Sequence, residues 1–478
     1  MADSTPVALP DNSSTSAFEA LFVERICKND PLSAMAAHAG AFLLAAAPLQ
    51  ALFDDCNQAQ YTRKITFPLL VSLLGEVVIG TRSSVRTAYE HRKELLGATL
   101  AAVYQKLQHV EAAVSEGLVR YFYKRAKSVM AHYTIKPLVL LPGFKLRIVD
   151  GNHPRSTHRK IKKLRGLSAG PLPSSTVVVY DPQLDLPEAM LCSEDAYEQE
   201  RALTPRLVAL AVDLDCWVFD RNFCTRPMLF GLRKKLAHFL GREHQNLPLT
   251  EAGPWSAEIT NEDGDRVSEQ AATVKNDDGE IIQLRRIRVE LVNPTRDGES
   301  TVFILTTLPV TSADTALVAR LYLKRWLIET AFQRLEALLN TEIDTLGYPK
   351  ASLFGMAIGW SAYTMVSLIQ AAIAEAHGVE EKEKLSWFHM AFDIEHGSQS
   401  LMNNCGEPAI EQWSQQPAEQ MAATLVKHAK GLKLHLYRKV VKKNPSKKPA
   451  PRTRFKGKPH VSTHRILNGT QKDEPGKE

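Results

Sequence analysis

Apolar residues recur at three- and four-residue steps through the first quarter of the chain and at two-residue steps after it. Periodicity therefore divides the sequence before any motif is read. Residues 18 to about 133 read as helical, through "AFEALFVERI", "AFLLAAAPLQALF", "PLLVSLLGEVVIG" and the long run from "SVRTAYEHRKELL" to "YFYKRAKSVM". Pro137, Pro142 and Gly143 end that texture. Three strands are then predicted: "FKLRIVDGN" (144–152), "STVVVYD" (175–181) and "PEAMLCS" (187–193). A helix over 194–212, broken or kinked near Pro205, leads to a buried strand, "CWVFDRNF" (216–223), and a second helix, "RPMLFGLRKKLAHFLGRE". That order describes a mixed α/β domain.

From about 247 to 300 the chain turns polar. "NEDGD" and "NDDGE" are turn signals, and "IIQLRRIRVELV" alternates as strands do. "STVFILTTLP" is a further strand, and residues 312–339 return to helix. An apolar helix over 352–376 follows, then a polar helical stretch to about 430. The expected organisation is a disordered start (1–17), a helical N-terminal domain (18–138) and an α/β core in two parts (139–246 and 312–378). A β-rich insertion (247–311) splits that core, and a helical region (379–432) and a basic, disordered tail (433–478) follow it.

The stretch "YLKRWLIETAFQRLE" (322–336) carries an unusual polar face. At 100° per residue, Tyr322, Arg325, Glu329, Gln333 and Glu336 share an arc of about 80°. Leu323, Leu327, Ala331, Leu335, Leu338 and Leu339 take the other side. A merely solvated face is the plain alternative, so partners elsewhere decide the matter. Asp150 and Asp220 each stand where a buried strand runs out into polar residues, and ligands gather at strand ends in α/β sheets. With Glu329 on a helix packed against that sheet, three carboxylates supply hard oxygen ligands for two Mg²⁺, with Mn²⁺ able to substitute. Such a metal pair suits phosphodiester cleavage. Taken singly, each has another explanation: turn chemistry for Asp150 before Gly151, pairing with Arg221 for Asp220, pairing with Arg325 for Glu329.

Composition changes little. The 478 residues are 44% hydrophobic and 23% charged, ordinary for a chain with several cores. Six dispersed cysteines form no C-x-x-C pair, which argues against a zinc or disulfide framework and for reduced thiols in a cytoplasmic protein. The first residues lack a signal-peptide pattern. The apolar stretches 35–53 and 352–374 contain His38 and Pro48, or Ser, Tyr, Thr and Gln, and read as buried helices with no membrane role. Net charge is +6, but Lys433 to Arg465 holds twelve Lys or Arg and no acid, which leaves −6 for the remainder. A second basic run, "RSTHRKIKKLR" (155–165), supplies Arg155, Arg159, Lys160, Lys162, Lys163 and Arg165 beside Asp150. Two separated basic runs point to a polyanion, most simply nucleic acid.

Tyr322, two residues, Arg325, three residues and Glu329 resemble the start of the Y-R-E-K signature of insertion-sequence 4 family transposases. "VDGNHPRSTHRKIKKLR" and "CWVFDRNFCT" resemble that family's first- and second-Asp segments, and "FILTTLPV" its approach to the Glu helix. The resemblance runs from about residue 50 to 380. It implies an RNase H-like catalytic domain with a D-D-E triad of Asp150, Asp220 and Glu329, and a β-strand insertion before the Glu. It further implies metal-dependent end cleavage and strand transfer, Tyr322 and Arg325 on the end's phosphates, terminal-repeat recognition by the N-terminal helices, and a homodimer on paired ends. The family pattern expects Lys seven residues after the Glu. This chain has Glu336, so Lys324, Arg334, a basic residue from another segment, or nothing fills that role. A stand-alone nuclease on the same fold and a catalytically impaired DNA-binding descendant are the alternatives.

Other motifs carry less. "GLSAG" (166–170) matches G-x-S-x-G around Ser168 but lacks the preceding hydrophobic strand and the following helix. No Walker-type loop occurs. His153 and His158 are weaker metal-ligand candidates than phosphate or loop residues.

Overall fold

The computed structural model describes residues 25–440 and 459–470, apart from residue 26 and the short stretches 61–63, 137–138, 251, 296–297 and 405–406. The disorder expected over 1–17 and most of the helix expected at 18–27 fall outside the described residues.

Among the described residues, the helices with defined bounds ahead of the sheet are α1 (Pro31–Leu43), α2 (Ala46–Cys56), α3 (Phe67–Ile79), α4 (Val85–Leu96), α5 (Leu100–His109) and α6 (Ala112–Met130). Side chains fix their starts. Asp30, Thr66 and Ser84 accept from the backbone N–H three residues on, and Thr87 completes a capping box with Ser84. The long helical run divides at Gly97, which takes φ +54° to close α4, and again at Val110.

The sheet has nine strands. They are β1 (Lys145–Asn152), β3 (Ser175–Asp181), β4 (Leu186–Ser193), β5 (Asp215–Phe219), β6 (His238–Arg242), β7 (Ile259–Thr260), β8 (Arg266–Lys275), β9 (Ile281–Glu290) and β10 (Thr301–Thr306). Their order is β4-β3-β1-β5-β6-β10-β9-β8-β7. β1, β5 and β6 run parallel, and β3 lies antiparallel to β1. This is the RNase H-like mixed sheet flanked by helices that the sequence leads one to expect. Ile148, Val178 and Val218 face the large core shared with α6 and α11 (Pro349–His377). Val149, Val177, Trp217 and Phe219 face a second core under α7 (Thr204–Leu210) and α8 (Arg226–Lys234).

Three expectations are corrected. The helix expected over 194–212 begins only with a 3₁₀ turn at Glu200–Leu203, and the break expected near Pro205 is there, with Pro205 opening α7. The helix expected from Arg226 stops at Lys234, because Leu236 turns left-handed (φ +58°) and "HFLGR" becomes β6. A short apolar run is ambiguous between helix and strand until its neighbours are known. The strands expected in the β-rich segment join the central sheet, where β10 pairs with β6. The helix expected over 312–339 is α9 (Thr315–Leu323) and α10 (Trp326–Leu338), joined through Lys324 and Arg325. There the N–H groups of residues 324, 325, 327 and 328 bond three residues back, a 3₁₀-like tightening. That turn rotates Leu327, expected on the apolar face, into 37% exposure.

α11 is long and apolar enough to cross a membrane, and its most apolar stretch is wholly buried within the protein. α12 (Val379–Glu383), α13 (Trp387–Asn404), α14 (Glu407–Ser414) and α15 (Ala418–Lys430) follow. The basic tail is only partly as expected. Residues 441–458 lie outside the description, but β11 (His460–Ser462) and α16 (Thr463–Leu467) are built. β11 pairs in parallel with the short β2 (Gly170–Leu172), and Val461 and Ile466 close a small core with Ile161, Leu164 and Leu167.

Candidate active site

The parallel register of β1 with β5 sets Val149 beside Phe219, so the next pair, Asp150 and Asp220, stands side by side at the strand ends. α10 packs against β1 and brings Glu329. Arg325 ties the group together: Nη1 donates to Asp150 Oδ2 at 3.0 Å and Nη2 to Glu329 Oε1 at 2.8 Å. Asp150 Oδ1 accepts from Gly151 N (3.0 Å), and Asp220 Oδ1 accepts from Asn222 N (2.9 Å) in the turn after β5. The three sequence-predicted carboxylates do meet.

Their electrostatics are those of a crowded anionic site. Burial pushes the Asp150 carboxyl up to about 7; Arg325 pulls it down, but burial together with the Asp220 charge outweighs the guanidinium. Burial likewise raises Asp220 against the pull of Arg325. The Arg325 guanidinium pays a burial penalty, yet Tyr322, Asp150, Glu329 and Asp220 hold its pKa above the ordinary value. Asp150, kept protonated until near neutral pH, and Asp220, raised in the same direction, are short of positive charge, and Arg325 supplies part of it.

Tyr322 is only 6% exposed, and burial pushes its hydroxyl up to about 12. It lies beneath Arg325, with Arg242 and Asp220 nearby, and does not stand at the surface. Within the basic run, Arg155 is half exposed and bridges two acids, with Nη2 3.1 Å from Glu336 and Nε 2.9 Å from Glu342. Arg159 donates to Ser168 O (3.0 Å), Lys163 to Leu467 O (2.8 Å) and Arg165 to Lys160 O (3.3 Å). The side chains of Lys160, Lys162, Lys163 and Arg165 are exposed along the loop that the tail supports. Of the candidates to stand in for the family Lys, Arg334 is engaged by Asp185 and the Tyr363 hydroxyl, both at 3.2 Å. Lys324 is exposed at the tightened turn. His158 lies 3.1 Å from Asp344, away from the triad.

Sequence reasoning missed Glu200, in the 3₁₀ turn after β4. Its Oε2 accepts from Asn222 Nδ2 at 2.7 Å, and its Oε1 lies 3.3 Å from His153 Nε2. Gly151 is the one available signal: a Cβ there would fall 1.7 Å from Glu200 Oε1, so the position after Asp150 admits no side chain. Far from the triad, Cys27, His38 and His428 gather within 4.8 Å. Burial holds His38 down to about 3, and its ring stacks between Trp413 and His428, as packed aromatics do.

Residues 148–357 match the model of the transposase DDE domain. That stretch, 210 of the 478 residues, is similar to the transposase DDE domain, a metal-dependent domain of DNA transposition. A cryo-EM structure of a piggyBac transposase synaptic complex with hairpin DNA is similar at 10% identity and TM-score 0.37, covering 82% of this chain and 86% of that one. No curated protein matches.

Proposed function

We propose that the chain is the transposase of a bacterial insertion sequence of the insertion-sequence 4 group, working as a homodimer on paired terminal repeats. It would cleave DNA at the element ends and join the 3′-hydroxyls to target DNA. The observation that carries this reading is the junction of Asp150, Asp220 and Glu329 around one guanidinium. The donor set suits Mg²⁺: all three are carboxylates, and burial leaves Asp150 short of a cation at neutral pH. Bound by these residues, a pair of divalent ions supplies activation of the attacking oxygen and stabilisation of the leaving one.

The chain's own residues do the rest. Asp150 and Asp220 are held rigid by the parallel register and by backbone N–H donors, so they meet a ligand with little reorganisation. Arg325 has forked donors suited to phosphate and is shared by two carboxylates that a cation would satisfy. Tyr322 lies beneath Arg325 and fixes it, a role that fits its burial better than direct phosphate contact. Arg155, Arg159, Lys160, Lys162, Lys163 and Arg165 give the approaching DNA a basic edge beside Asp150. Arg155 also sets a positive group against Glu336, which offsets the repulsion that a carboxylate there would exert on phosphate.

The test uses a plasmid carrying the DNA that flanks the coding region, purified protein and Mg²⁺, comparing wild type with Glu329→Gln. Cleaved ends and joined products in wild type, both lost in the variant, are expected. Binding of those ends without cleavage, in Mg²⁺ and Mn²⁺ alike, would instead identify a DNA-binding derivative. Cleavage without joining would identify a nuclease.

A further inference from the structure

Glu200 stands at the triad without belonging to it. It comes from a 3₁₀ turn that no catalytic pattern marks, and its side chain is 18% exposed. Its two oxygens face Asn222, two residues past Asp220, and His153, three residues past Asp150. Both strand ends that carry the aspartates are thus tied to one carboxylate. Gly151 leaves room for Glu200 at the end of β1, where a Cβ would overlap its carboxylate. The Glu200 charge acts on Asp150 and on Asp220 and disfavours ionisation of both. Among the described residues no Lys or Arg is bonded to Glu200, while Arg325 serves Asp150 and Glu329 on the far side. Four carboxylates, of which Arg325 bonds only two, leave a local excess of negative charge. A half-buried acid placed so, without a cation of its own, calls for one.

Resting on the metal-dependent reading above, we infer that Glu200 is a fourth carboxylate of the site and holds a divalent ion together with Asp150 and Asp220. His153 and Asn222 then orient it as outer partners orient a metal ligand. The four acids divide into two pairs, Asp150 with Glu329 through Arg325, and Asp220 with Glu200 through Asn222. The site thereby has two sides, as two ions require.

Mn²⁺ binding to the full chain, read by the loss of the free-ion paramagnetic resonance signal, tests this without reliance on activity. Wild type, Glu200→Gln, Glu200→Asp and Gly151→Ala are compared, with thermal melting to confirm folding. Glu200→Gln should weaken Mn²⁺ binding by about tenfold or more, the scale on which a site's carboxylate partners act. End cleavage should recover as Mg²⁺ is raised, and Glu200→Asp should lie between. Gly151→Ala, which pushes the Glu200 carboxylate aside while keeping it, should weaken binding in the same direction. A folded Glu200→Gln protein that binds Mn²⁺ as wild type does, with an unchanged Mg²⁺ requirement for cleavage, overturns the inference and leaves the triad reading standing. Failure of wild type to bind Mn²⁺ in a manner sensitive to Glu329→Gln overturns both.

Discussion

Asp150 shows what the site asks of one residue. Burial raises its carboxyl pKa to about 7, well above the range of an unfolded aspartate. For a group raised in this way, the stability gained from holding a proton is full below the unfolded value near 4. It is lost as pH rises through about 7. Above neutrality the metal-free protein therefore keeps a charge it is poorly built to bury. Asp150→Asn should stabilise the metal-free protein by about 1–3 kcal/mol at pH 8, with the gain fading towards pH 4. The same change should abolish the upward shift in melting temperature that Mg²⁺ gives wild type. Urea unfolding at the two pH values measures the first effect and a melting curve with and without Mg²⁺ the second; a variant less stable than wild type at pH 8 contradicts the account. Function and stability pull apart at this residue.

At the scale of elements, the Glu helix is set by its joints. The tightened turn at Lys324 and Arg325 aims Arg325 inward and turns Trp326 and Leu327 out. One turn beyond Glu329, Arg334 bonds Asp185, a left-handed residue at the β3–β4 corner, together with the Tyr363 hydroxyl, and stacks on Trp387. Arg334→Met leaves Asp185 without its cation in a largely buried setting and should destabilise the fold by about 2 kcal/mol or more. Urea unfolding reads this directly; an unchanged midpoint would show that the network is not what anchors the helix. The sequence reveals some of this geometry and hides the rest for identifiable reasons. β1, β3, β4 and β5 are largely buried on both faces, so their apolar runs stand out, and the polar residues that end β1 and β5 mark Asp150 and Asp220. β6 is hidden because "HFLGR" continues an amphipathic helical pattern until Leu236 reverses the backbone. Glu200 is hidden because its relation to Asp150 exists only through sheet geometry and a missing side chain at Gly151. Periodicity alone cannot register a 3₁₀ turn inside a helix, which is why 312–339 reads as one element.

At the scale of the molecule, the basic loop and the tail form one structure. Ile161, Leu164 and Leu167 are buried against Val461 and Ile466, and Ser462 and Arg465 both bond Asp195. Ending the chain at Val440 should therefore leave the central sheet intact and free the loop. Hydrogen exchange over residues 155–172 should accelerate severalfold while β1 and β5 stay protected, and affinity for DNA should fall together with its salt dependence. Equal protection of the loop in both proteins would show that it holds its shape unaided.

The strand that completes this loop arrives late. Ser156 meets His460 across 304 residues of intervening chain. At roughly 5–20 residues per second of translation, about 15–60 s separate the emergence of the loop from that of its partner. A nascent chain still on the ribosome thus carries its acidic pocket before its basic edge has settled, and the two are joined only once residues 460–467 are made.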